Sequence, residues 1–121
     1  MVLILLLLLF LSGASAYVLI ELMWRGRSHI SMAVAGGLAM LILYGIAAAL
    51  PHGGILLKSL LGAACITLLE LLTGLLVNVR LRLGVWDYSG IPGNLFGQIC
   101  LPYSAAWFLL CMPVFVWLDR Y

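Results

Sequence analysis

Charge is what this sequence has least of. Asp, Glu, Lys and Arg make up 8% of its 121 residues, whereas soluble domains average about 25%. Hydrophobic residues make up 66%, and the mean hydropathy is +1.26. So little charge excludes a soluble domain, and a net charge of +2 without a basic tail gives no reason to expect nucleic acid as a partner. We therefore predict an integral membrane protein with a single membrane domain over residues 1–121.

The usual signatures of metal, nucleotide and nucleophile chemistry are also missing. Cys65, Cys100 and Cys111 lie in or beside apolar runs without paired spacing, so we interpret them as small buried hydrophobic residues. The chain has no phosphate-binding glycine loop and no nucleophile-elbow motif. His29 and His52 lie in different connections, which does not indicate a metal site. We predict no cofactor, no metal and no catalytic residue, and the sequence favours a role that is not enzymatic.

Four apolar runs are each long enough to cross a bilayer, which takes about 20 residues of helix. We predict helices over residues 2–24, 31–50, 55–79 and 99–118. Residues 12–16 resemble a signal-peptide cleavage site, but no basic residue precedes them and the apolar run continues, so we expect a retained first helix. The predicted fold class is all-α, with four transmembrane helices and a polar interfacial or re-entrant loop before helix 4.

Basic residues near the helix ends predict the orientation in the membrane. Four arginines lie on one side and two basic residues on the other: Arg25, Arg27, Arg80 and Arg82 against Lys58 and Arg120. We predict a multi-pass protein of the cell membrane, the bacterial inner membrane, surrounded by membrane lipids. The connections 25–30 and 80–98 are predicted to be cytoplasmic, and both termini to lie outside.

The long polar segment 84–98 carries most of the turn chemistry. Ile91 precedes a proline and should be extended, while Gly93 and Asn94 favour turn positions. This pattern predicts an interfacial loop that folds back on itself. Asp87 is either an ion-pair partner for a nearby arginine or an acid of a site.

Two acids lie inside predicted helices, where charged groups are rare and often functional. Glu70 is either a substrate or proton site or one half of a structural ion pair. Glu21 lies one turn before Arg25, so a structural i,i+4 pair competes with a functional role. The polar and small residues of helix 3 fall on one side of it by helical spacing: Thr67, Glu70, Thr73, Gly74 and Asn78.

Three blocks carry a family resemblance: residues 17–32 (YVLIELMWRGRSHISM), residues 67–78 (TLLELLTG, then VN) and residues 85–101 (WDYS, then NLFGQICL). In this order they resemble the small four-helix bacterial membrane proteins of the ABC-transporter type IV permease family, over nearly the whole chain. Ser28 and Gly93 stand where members often have Thr and Phe. The resemblance implies these characteristic positions: Glu21, Arg25, Gly26, Glu70, Asn78, Trp86, Asp87, Tyr88, Asn94, Gly97 and Gln98.

Together these observations predict a small transporter-like or transport-accessory protein with a buried polar site for an unknown substrate. The predicted site residues are Glu21, Arg25, Arg27, Glu70, Asn78, Trp86, Asp87, Tyr88, Asn94 and Gln98. The alternatives are an intramembrane enzyme or lipid-headgroup binder, and a purely structural partner subunit. Four short helices rarely enclose a pathway, so we expect a homodimer or a partner membrane subunit. A transport pathway would open alternately to the two sides of the membrane. A lipid-binding cleft would open sideways to one leaflet. A structural role would leave every acid within the membrane paired.

Overall fold

The computed structural model describes residues 1–120. Its helices are α1 (Val2–Arg25), α2 (Ile30–Ala49), α3 (Ile55–Gly74) and α4 (Leu101–Leu118), and α3 continues as a π-helical turn, Leu75–Arg80. Among residues 1–120, four spans are long and apolar enough to cross a membrane, and the third runs from Ile55 to Arg80. The predicted class, an all-α membrane protein with four spanning helices, is confirmed.

The chain divides into two compact units, Met1–Ile42 and Leu43–Tyr121. In the first unit, small residues let α1 and α2 come very close. A Cβ atom built on Gly13 would lie 2.5 Å from the carbonyl oxygen of Gly36, and one built on Gly36 would lie 2.5 Å from Cβ of Tyr17. Gly37 lies against the ring of Phe10 in the same way. Close approach at small residues is how helices associate where lipid removes the hydrophobic driving force.

In the second unit, α3 and α4 pack as an antiparallel pair. Its core is centred on Gly62, where an added Cβ would meet Leu43, Cys111 and Phe115. Phe115 and Cys111 are almost completely buried. The second unit therefore has a well-packed core of its own, in which Lys58 lies buried beside Phe115. A single membrane domain over the whole chain stays a prediction.

The end of the third span and the start of α4 depart from a regular α-helix. The chain from Leu75 to Arg80 is helical but wound as a π-helix, and Ile99 and Cys100 are not helical. They form β2, which pairs antiparallel with β1 (Asn94–Leu95), so α4 begins at Leu101. Pro102 follows in the first turn of α4, where its missing N–H leaves no helical bond unmade. The predicted interfacial loop thus contains a small hairpin.

Candidate functional site

Glu70 lies in the third span on the inward side of α3 and is 5% exposed. Gly74, one turn further on, is buried on the same face. Burial raises the pKa of the Cys100 thiol. The backbone N–H of Tyr103 partly offsets this rise, and the negative charge of Glu70 adds to it. The strand β2 (Ile99–Cys100), which contains Cys100, contacts α3.

Asn78, in the π-helical turn, fastens the segment 85–98 to α3. Its amide N–H donates to Oε1 of Gln98 at 2.8 Å, and its Oδ1 accepts the backbone N–H groups of Val85 at 2.7 Å and Trp86 at 3.3 Å. The indole N–H of Trp86 donates to the carbonyl oxygen of Gln98 at 2.9 Å. Trp86 and Gln98 are both buried. We call Glu70, Asn78, Trp86 and Gln98 the polar cluster.

Gly74 is what allows the polar cluster to form. A Cβ atom at this position would lie 2.5 Å from Oε1 and 2.9 Å from Cβ of Gln98, and 3.0 Å from the Trp86 ring. No residue with a side chain fits without moving them. Because Gly74 follows Glu70 by one turn, the amide and the indole lie directly over the turn of α3 that follows the acid.

Asn94 holds the hairpin in shape. Its amide N–H group donates to the carbonyl oxygens of Ile91 at 2.8 Å and Ser89 at 3.2 Å, and its Oδ1 accepts the N–H of Gly97 at 3.1 Å. Phe96 and Gly97 lie in the three-residue connection between Leu95 and Ile99, and both have positive φ, 56° and 70°, as the two central residues of a type I′ turn do. Asn94 was predicted as a turn residue; it is a strand residue whose side chain organises the whole loop.

Asp87 and Tyr88 lie on the outer side of this loop. The Asp87 carboxylate is exposed and accepts the backbone N–H of Ser89 at 2.9 Å, and this hydrogen bond lowers its pKa. Its role in the structure is to stabilise a turn. The ring of Tyr88 stacks on Tyr103 of α4, with centroids 4.9 Å apart.

The remaining predicted site residues belong to the first unit. Arg25 and Glu21 form an i,i+4 salt bridge, with Nε and Oε2 2.7 Å apart. A guanidinium nitrogen of Arg25 also lies 3.7 Å from the Met32 sulfur. Arg27 is exposed. The geometry of Glu21 matches the structural reading expected from its spacing to Arg25.

One ion pair was missed by the sequence reasoning. The ammonium of Lys58, near the start of α3, lies 2.6 Å from Oδ2 of Asp119, which follows α4. Lys58 is 1% exposed, and its nitrogen lies 5.9 Å from the centroid of the Phe115 ring. Lys58 entered the prediction only as an orientation signal, and Asp119 not at all. No local pattern in the sequence signals this pair, because the two residues lie 61 positions apart.

A groove of about 660 Å³ runs along the flank of α3 and α4. Its lining is almost wholly apolar, apart from Thr67 and Ser104, whose hydroxyl oxygens are 2.9 Å apart. Thr67 was predicted on the polar side of helix 3, but its partner was not. Small residues deepen the groove between larger apolar ones: Ala63, Ala64 and Ala105 between Leu60, Leu68, Leu71, Leu101 and Phe108.

Comparison with known proteins places the chain in a family. The family model described as Putative ABC-transporter type IV matches residues 8–121. No curated protein and no solved structure matches the chain. The family match and the four apolar spans identify a membrane protein of a transport-related kind. The chain belongs to the ABC-transporter type IV family.

Proposed function

We propose that this protein is a small transporter or transport accessory whose working site is the polar cluster, with Glu70 as the acid. The observation that carries the proposal is the burial of Glu70 in a membrane span, about two turns before Asn78, whose hydrogen bonds fasten the loop. A carboxylate at such depth is expensive and is found mainly where it serves an ion, a proton or a substrate.

The polar cluster has the two parts of a gated binding site, an acid and a segment that lies over it. An ionised carboxylate only accepts hydrogen bonds, so Glu70 suits a cation, a proton or a donor group of a substrate. The segment over it is held by neutral hydrogen bonds of Asn78 and Trp86, each worth about 1 kcal/mol net. Opening the loop is therefore inexpensive compared with unfolding α3, and it would admit water or substrate towards the acid from the 80–98 side.

The setting of this site is part of the same proposal. We place the protein in the bacterial inner membrane with connections 25–30 and 80–98 in the cytoplasm and the termini outside, because arginines concentrate at those connections. Transport by four helices requires a homodimer or a partner membrane subunit. Single-cysteine variants at Ser89 and His52, labelled with a membrane-impermeant thiol reagent on cells and on inverted vesicles, test the orientation.

The decisive experiment compares wild type, Glu70→Gln and Asp119→Asn in proteoliposomes against a panel of inorganic cations, amines and neutral solutes. Both variants turn a carboxylate into an amide within the second unit, but only Glu70 belongs to the cluster. We expect wild type to show a flux. Glu70→Gln should abolish this flux and keep the thermal stability of wild type, whereas Asp119→Asn should be less stable and retain the flux. If Glu70→Gln instead lowers the free energy of unfolding by a few kcal/mol, Glu70 is a scaffold acid.

A second candidate, lipid binding, is favoured by the groove on α3 and α4. A cleft that opens sideways to one leaflet was the feature expected of a lipid-binding protein, and the apolar lining is consistent with it. This candidate does not require Glu70. The Glu70→Gln variant therefore separates it from the transport proposal.

A further inference from the structure

Left-handed backbone conformations concentrate around the loop that lies over the polar cluster. Among residues 1–120, four glycines and two other residues have positive φ: Gly26, Gly84, Gly93 and Gly97, then Arg82 and Phe96. Arg82 and Phe96 both have a φ of 56°, and they flank the segment 83–95, which we call the strap. Glycine adopts this conformation readily, whereas a residue that carries a Cβ disfavours it roughly 5- to 30-fold.

Arg82 occupies a position that glycine usually fills. It follows Leu81, which caps the third span. The N–H of Leu83 then donates to the carbonyl oxygen of Val77 at 3.0 Å and closes the helix end. A left-handed residue is common just beyond a helix, and it is usually glycine. Gly26, with a φ of 73°, ends α1 in this way, so this chain follows the rule at α1 and departs from it beside the strap.

Phe96 departs from the same preference. It is the first of the two left-handed residues in the hairpin turn, a position dominated by Gly, Asn and Asp. Phe96 is 70% exposed, and Arg82 is exposed as well, so burial of the two side chains does not offset the strain. Backbone strain that is kept without local compensation is a sign of function.

The strap is held closed by a few neutral contacts. The N–H groups of Val85 and Trp86 donate to Asn78, and the N–H of Tyr88 donates to the carbonyl oxygen of Gly97 at 2.7 Å. When the strap lifts, the backbone turns at its two ends, and the strain at both ends is released. The strain therefore raises the energy of the closed strap and leaves that of the open strap unchanged.

We propose that Arg82 and Phe96 are strained hinges that keep the strap ready to open over the polar cluster. Each hinge raises the open population about threefold relative to glycine, because part of the strain is balanced by the greater freedom of glycine in the open state. The proposal rests on the proposed function for what the open strap admits to Glu70. The opening equilibrium itself is measured without any flux.

The first test is amide hydrogen exchange of Val85, Trp86 and Tyr88 in full-length protein in lipid nanodiscs, which measures local opening. Arg82→Gly and Phe96→Gly should each slow this exchange about threefold, and the double variant about ninefold if the hinges are independent. Arg82→Ala and Phe96→Ala remove the side chain beyond Cβ but keep the strain. These alanine variants should exchange as wild type does.

Two glycines allow the converse test. Gly84, inside the strap, and Gly26, at the end of α1, have φ of 60° and 73°, and a Cβ atom added to either meets no atom within 4 Å. Gly84→Ala should add strain without a clash and speed the exchange of the strap about fivefold. Gly26→Ala adds the same strain outside the strap and should leave that exchange unchanged.

A second readout is the native thiol of Cys100. Cys100 is 2% exposed and pairs with Asn94 at the end of the strap. Its rate of reaction with a water-soluble maleimide should therefore fall in the glycine variants and rise in Gly84→Ala by the same factors as the exchange rates.

Three results would overturn the hinge assignment: glycine variants that exchange as fast as wild type, alanine variants that match the glycine variants, or a Gly26→Ala effect equal to that of Gly84→Ala. Arg82→Asn and Phe96→Asn replace a glycine variant that fails to fold, because Asn tolerates the left-handed region. Failure of the hinges would leave the Glu70→Gln flux experiment unaffected. Failure of the Glu70 proposal would leave the exchange results standing.

Discussion

Replacing Asp119 with alanine should destabilise the protein much more than replacing Lys58 with methionine. The two side chains form one ion pair, but Lys58 is 1% exposed, whereas the side chain of Asp119 is 37% exposed. Asp119→Ala leaves an ammonium buried against Phe115 without its counter-charge. Lys58→Met leaves a carboxylate that already reaches water and replaces the ammonium with an apolar group of similar length.

The magnitudes follow from burial. Removing one partner of a buried pair costs roughly 3–5 kcal/mol. Because Asp119 is partly screened by water, we expect the lower end, about 3 kcal/mol, for Asp119→Ala. Lys58→Met should change the free energy of unfolding by at most about 1 kcal/mol.

The assay is equilibrium unfolding in mixed micelles by titration with sodium dodecyl sulfate, followed by tryptophan fluorescence and checked by pulse proteolysis. The double variant should lie within about 1 kcal/mol of wild type, close to Lys58→Met alone, so that the cycle returns a coupling energy of about 3 kcal/mol. Equal losses from the two single variants, or a loss below about 1 kcal/mol for Asp119→Ala, would refute the claim that the burial of Lys58 dominates this pair.

Three further predictions concern close contacts and the loop. Gly74→Ala should cost about 1–3 kcal/mol and raise amide hydrogen exchange in the segment 85–98, because the new methyl group displaces Gln98. Gly13→Ala should destabilise the first unit in the same micelle assay, while Gly45→Ala, with nothing within 4 Å, should not. The pKa of Asp87 is lowered, so its hydrogen bond stabilises the turn at pH values above the ordinary pKa of 3.8, and this stabilisation is lost as the pH falls below 3.8. Asp87→Asn should abolish this pH dependence, which is measured from the hydrogen exchange of the loop amides by NMR.

The four spans were predictable because lipid leaves the backbone so few choices. A run of about 20 apolar residues can cross hydrocarbon only as a helix, and the helix bounds follow to within a few residues. The loop was predictable in outline, since Pro92 and Gly93 indicate turns. Its hairpin was not, because two-residue strands have no periodicity to detect and because Ile99 and Cys100 continue the apolar run of helix 4.

The candidate site likewise has a part that could be predicted from the sequence and a part that could not. Glu70 and Asn78 could be placed on one face of a helix from spacing alone, and the structure brings Asn78 together with Trp86 and Gln98. The partner of Lys58 could not be identified, because it lies 61 residues away and ion pairs between helices leave no local pattern. Ser104 could not be identified either, because nothing in the sequence distinguishes it from other helix residues before its neighbour on α3 is known.

Because the third span contains a π-helical turn, the number of its residues determines which side chains face the loop. A π turn contains one residue more than an α turn, so every side chain after it is rotated by about 100° relative to a continuous α-helix. Deleting one residue among Leu75, Leu76 and Val77 would let the turn wind as an α-helix and keep Asn78 facing Val85, whereas deleting one residue of the regular helix between Glu70 and Gly74 would rotate Asn78 by about 100° relative to Glu70. Single-residue deletions between Leu50 and Gly54 face no such constraint. Whether this chain tolerates an insertion or a deletion therefore depends on how the helix is wound at that point, and a hydropathy profile does not show this.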